Sequence, residues 1–101
     1  MSKLKPEARK AQVVATALKL AENSHYLEVT RVQVAKALDI TPQSVRHYFS
    51  TMPQMRGDMV RAAIKSSNLV VIAQAVTAKD PRALKLSRER IREAMEALLK
   101  P

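Results

Sequence analysis

The sequence contains no cysteine and no tryptophan, a single glycine, and only three aromatic residues, Tyr26, Tyr48 and Phe49. Without cysteine there is neither a disulfide framework nor a thiolate zinc site, and His25 and His47 stand too far apart for paired metal-ligand spacing. No metal and no cofactor is expected. The longest apolar stretch, Leu69 to Ala73 and on to Val76, falls far short of the roughly 20 residues that span a bilayer. Nothing near the N-terminus reads as the apolar core of a secretion signal, so a cytoplasmic protein with no membrane partner is the expectation. Three aromatics are also too few to anchor a basic amphipathic helix on a lipid surface. There is no glycine-rich phosphate loop, no nucleophile–base pair at supporting spacing and no evident carboxylate pair, so the expected protein is not an enzyme.

Positive charge is what the sequence does have. Eighteen Lys and Arg against nine Asp and Glu give a net charge of +9 on 101 residues, which points through counterion release to a polyanionic partner, double-stranded DNA first. The excess is spread over both halves of the chain, so charge alone does not locate a binding surface. With 47% apolar and 27% charged residues the composition is that of a globular protein. A chain of this length forms one domain and buries a modest share of its surface, which favours association into a dimer.

The periodicity is helical throughout, and the expected fold class is all-α, a compact domain of five or six helices. A first helix is expected from Pro6 to about Asn23, with Val14, Ala17, Leu18 and Ala21 on one face. Thr30, with Gln33 three residues on, forms a capping box that opens a second helix ending near Leu38. Thr41-Pro42 reads as an N-cap and first-turn proline for a third helix, and Asp39 between the two suits a left-handed exit. Thr51 and Gln54 form a second capping box for a fourth helix reaching at least Lys65, with Gly57 inside it costing about 1 kcal/mol relative to alanine. Ser66-Ser67-Asn68 is either a break or a polar turn within a longer helix. Leu69 to Ala78 is apolar nearly all round, as a buried helix would be, and Asp80-Pro81 launches a final helix to about Leu99.

Two short helices joined by a tight turn between Arg31 and Phe49 form a helix-turn-helix candidate, whose second member would enter the DNA major groove. Its polar residues suit that task. Gln43 can bond bidentately to adenine and Arg46 to guanine, Ser44 and His47 can meet bases or phosphates, and the Thr30 and Thr41 caps lie beside helix ends that favour phosphate. Tyr26 reads as a packing residue, and Met52, Met55 and Met59 as core filling.

From about Val13 to Ile64 the chain resembles the DNA-binding domain of the tetracycline-repressor-like (TetR) family of bacterial transcription regulators. The matching residues are Ala17-Leu18-Lys19-Leu20, Tyr26, Thr30, Val34-Ala35, Leu38, Ile40-Thr41, Val45 and His47-Tyr48-Phe49. They span about half of the chain, and the His-Tyr-Phe ending is the most specific of them. The resemblance implies that Thr30, Arg31, Pro42, Gln43, Ser44, His47 and Tyr48 meet DNA, with Thr30 and Tyr48 holding phosphate and Gln43, Ser44 and His47 facing bases. It departs from the family in having His25 and Asp39 where glycine is usual, and Met52 where a phosphate-holding lysine is common, which leaves Arg56 or Arg61 to supply that charge.

The expected protein is therefore a sequence-specific regulator, a repressor acting as a homodimer on an inverted-repeat operator. Residues 6–65 would form the DNA-binding core. Residues 66–101 are too few for the family's usual effector domain, so no dedicated small-molecule effector is expected. They would instead provide dimer contacts through Leu69, Ile72, Leu84, Ile91, Met95 and Leu98, with Leu84, Ile91 and Leu98 in a seven-residue seam. The alternatives are a non-specific architectural DNA-binding protein and a protein-binding adaptor that reuses the same fold. A bacterial host, or a phage or plasmid, would carry any of the three.

Overall fold

The computed structural model describes residues 5–100, and every regular element among them is helical. The chain runs α1 (Pro6–Glu22), α2 (Arg31–Leu38), α3 (Pro42–Tyr48), α4 (Met52–Ser66), α5 (Leu69–Thr77), α6 (Pro81–Leu84) and α7 (Arg88–Leu99). These pack into a body of 44 × 24 × 24 Å. Among the described residues, no helix is long and apolar enough to cross a membrane.

The starts follow from local chemistry. Proline stands in the first turn of α1, α3, α4 and α6, where its missing N–H costs nothing. Thr30, Thr41, Thr51, Asn68, Asp80 and Ser87 each accept a hydrogen bond from a backbone N–H of the turn they open. At α2 the capping box is complete, with Gln33 Oε1 accepting from the Thr30 N–H at 3.0 Å. At α4 it is half formed. Thr51 caps the Gln54 N–H, but Gln54 Oε1 turns to the N–H and hydroxyl of Ser50.

The ends are less conventional. Asp39, Ser67 and Lys79 all adopt left-handed backbone, with φ of 55°, 55° and 60°. In each case the next N–H reaches back to a helix carbonyl, Ile40 to Ala35, Asn68 to Ala63 and Asp80 to Ala75, at 2.8 to 3.0 Å. The single glycine serves none of these turns. Gly57 sits buried inside α4, where a Cβ would lie 3.0 Å from Arg82 Nη2, the far end of an exposed side chain that can shift. Ser66-Ser67-Asn68 is thus a true break.

The segment after Asp80 departs from the single long helix that its periodicity predicts. One turn, α6, is followed by a turn at 85–87, and Ser87 caps α7 by accepting the Arg90 N–H at 3.2 Å. The change of direction buries both Ala83 and Ala94 completely and packs Leu86 on the core, while Arg90 donates to the Ile64 carbonyl at 3.0 Å. A straight helix could not satisfy all of these, so the described residues hold seven helices rather than five or six. The Leu84–Ile91–Leu98 seam is broken between its first two members. Ile72 is likewise withdrawn from the expected dimer face, since it is wholly buried among the chain's own helices. Leu69, Ile91 and Met95 are half-buried, and Leu84 and Leu98 are exposed.

The core is one continuous cluster from Val13 of α1 to Ala94 of α7, with Tyr26, Phe49, Met55 and Met59 its largest fully buried side chains. At its centre runs α5, whose residues Val71 to Ala75 are all buried, as expected of a helix apolar nearly all round. Gln74 is the exception in polarity, and it is only 4% exposed. Its Oε1 accepts the Tyr26 N–H at 2.9 Å, and its Nε2 donates to the carbonyls of Ala21 at 2.8 Å and Ser24 at 3.4 Å. One side-chain amide therefore completes the backbone pairing of the α1–α2 connection. The Tyr26 hydroxyl donates to Asp80 Oδ2 at 3.4 Å; burial, then the Asp80 carboxylate, hold the phenol above its ordinary range and keep it neutral.

Replacing this amide should be costly. Gln74→Leu fills similar space but strands the Tyr26 N–H in the interior, while the Ala21 carbonyl keeps the Ser24 N–H at 3.1 Å. Urea unfolding is expected to show a loss of about 1 to 3 kcal/mol, the cost of one orphaned buried group.

Candidate nucleic-acid interface

The residues expected to bind DNA come together on the α2–α3 unit. Ala35 of α2, 1% exposed, permits close packing against α3, whose Val45 is fully buried, and Phe49 closes the unit beneath. The connection holds only Asp39, Ile40 and Thr41, because the left-handed Asp39 reverses the chain at once. Between Thr30 and Thr51 Asp39 is the only acid, against Arg31, Lys36 and Arg46. The face is locally cationic as well as globally so.

Four of the expected residues, Arg31, Pro42, Gln43 and Arg46, line one shallow notch of about 310 Å³ where the start of α2 meets α3. Pro42, Gln43 and Arg46 share a face by helical spacing, and all three are exposed. Arg46 pairs with no acid among the described residues. His47 is exposed too, with its ring edge-on to Tyr48 at 5.2 Å. Thr30 is exposed, and since its Oγ1 accepts the Gln33 N–H at 3.2 Å its own proton is left to donate outward.

The remaining expected residues are more committed to the chain itself. Ser44 is half-buried and its hydroxyl is bonded to Thr41 Oγ1 at 3.0 Å, so both serve the cap of α3. Tyr48 is half-buried against the core. Arg31 donates from Nη2 to the Ser50 carbonyl at 2.9 Å, tying the start of α2 to the α3–α4 turn, and its Nε is buried without a partner. The charge sought near Met52 is also engaged. Arg56 donates to the Leu27 carbonyl at 3.2 Å, and Arg61 pairs with Asp58, which Lys10 approaches from α1 at 3.7 Å. Met52 itself packs against the core.

One residue of the notch escapes sequence reading. Val32, the second residue of α2, is 63% exposed and lines the notch beside Arg31 and Pro42. Its signal was an off-stripe position, since the buried face of α2 is carried by Val34 and Ala35 with Leu38 half-buried beside them.

A larger concavity lies elsewhere, an open groove of about 750 Å³ between α1 and α4 with Ala11, Val14, Leu18 and Ala62 in its lining. Its charged residues are balanced, Glu7, Glu22 and Asp58 against Lys10, Lys19 and Arg61, so this surface is not one that favours a polyanion. No family model, curated protein or solved structure matches the chain.

The two arginines of the notch should separate by stability. Arg31→Ala removes the tie to Ser50 and is expected to cost about 1 kcal/mol in urea unfolding. Arg46→Ala, which breaks no such tie, should stay within about 0.5 kcal/mol of the parent.

Proposed function

We propose that the protein is a sequence-specific double-stranded DNA-binding regulator that presents α3 to the major groove. The observation that carries this reading is the grouping of uncommitted Gln43, Arg46 and His47 on the exposed face of a short helix, which is itself fixed from behind by Val45 and Phe49. Bidentate side chains on a rigid element are what base reading requires, because a misplaced donor discriminates nothing. Thr30 and the cationic stems around it would set the register by holding phosphate, a role that carries no sequence information of its own.

The regulator acts as a dimer, most simply as a repressor that blocks polymerase at an inverted repeat. Leu69, Ile91 and Met95 are half-buried and Leu84 and Leu98 exposed on the C-terminal helices, an apolar surface that a second copy can cover. Two symmetric copies would place half-site centres about 34 to 36 Å apart, or a multiple of that. The balanced charge of the α1–α4 groove suits no polyanion, so the DNA-facing role falls to the α2–α3 unit.

The test is selection from random duplex DNA at physiological salt. An enriched inverted repeat is expected. Gln43→Ala should weaken binding to it by about 1 to 3 kcal/mol and relax one position of the repeat. Retention of duplex without enrichment would replace this reading with a non-specific architectural one, and no retention would leave a protein partner as the target.

A further inference from the structure

On the α2–α3 face the notch sets a valine and a proline among two arginines and an amide, so a ligand that meets its charge and hydrogen-bonding groups meets apolar surface too. Val32 is 63% exposed and Pro42 is exposed, and the two line the notch together with Arg31, Gln43 and Arg46. In the major groove the one apolar group on a base edge is the C5-methyl of thymine, or the same methyl on a modified cytosine. The notch, about 310 Å³ and open, has room for a methyl group with the base edge above it. Arg46, one turn along α3 from Pro42, carries the side chain that can bond bidentately to guanine.

We infer that the Val32–Pro42 notch is a subsite for the C5-methyl of a pyrimidine lying next to a guanine that Arg46 reads. The inference rests on the α2–α3 unit being the DNA-reading element. It adds to that reading a residue of α2 as a determinant of specificity, acting by contact with a methyl group rather than by hydrogen bonding. Val32 would then be surface-exposed in the free protein because its burial is completed by the base. Arg31 assists without reading: its guanidinium is held by the Ser50 carbonyl, which keeps its stem against one side of the notch.

The experiment uses the duplex enriched by selection, remade with uracil in place of each thymine in turn, a change that removes the methyl and nothing else. At one thymine in each half-site, uracil should weaken binding roughly threefold to fivefold, the size expected for withdrawing one buried methyl from contact. Val32→Ala should fold normally, since the side chain is exposed, and should bind the thymine and uracil duplexes alike. A second pair of duplexes carries cytosine or 5-methylcytosine at the same position. A gain from the methyl in both pairs assigns the notch to any 5-methylpyrimidine, and a gain from thymine over uracil alone assigns it to thymine. Equal binding of thymine and uracil duplexes at every position by the parent protein overturns the inference while leaving the DNA-reading role intact. A thymine preference that persists in Val32→Ala overturns it too. Failure to enrich any sequence removes the underlying reading, and this one with it.

Discussion

The amide of Gln74 is the interaction on which the arrangement of the site depends. An isolated polar side chain in the middle of α5 would be a liability of a few kcal/mol, yet its three bonds go to backbone groups at the end of α1 and in the connection to α2, where it is the partner of the Tyr26 N–H. By fixing Tyr26, it sets where the chain emerges to bury Val29 and to begin α2 at Thr30. The C-terminal helices are therefore structural support for the α2–α3 unit as well as bearers of the apolar surface. A dimer formed through them would be mechanically continuous with the face that α3 presents.

Eight residues in α2 and seven in α3 are too few to stand as helices in water, where about 12 to 15 are needed even for favourable sequences. Their stability is borrowed from caps and from the core, and this divides the polar residues into two sets. Thr41, Ser44, Arg31 and Tyr48 hold the unit together, through the α3 cap, the Ser50 carbonyl and the packing beneath. Gln43, Arg46 and His47 are exposed on the outer face. A helix this short is also rigid when both ends are fixed, and rigidity is what converts a hydrogen-bonding side chain into a specific one.

The helical class and most boundaries were legible because they are written in local chemistry. Thr30, Thr41, Thr51 and Asp80 are caps whose side chains act on their own next turn, and proline in the first turn marks the same places. Asp39 was legible as a left-handed exit for the same reason. The break at 85–87 was not, because Leu84, Ile91 and Leu98 keep an unbroken helical period across it. What interrupts that period is tertiary, the burial of Ala83 and Ala94 on the core and the reach of Arg90 to Ile64. Gln74 shows the same limit, since its partners lie about 50 positions away. In the candidate site, Gln43, Arg46 and His47 are exposed, but Arg31 and Ser44 looked free in sequence and are held by neighbours, while Val32 carried no polar signal at all.

The proposed DNA-facing role of the outer side of α2 and α3 can be read residue by residue from backbone amide shifts of the isotope-labelled protein during titration with a duplex carrying its selected sequence. The changes should gather at Thr30 to Val32 and Thr41 to Tyr48, with the α1–α4 groove unmoved. Changes centred on Lys10, Lys19 and Arg61 along that groove, or on α7, would contradict it.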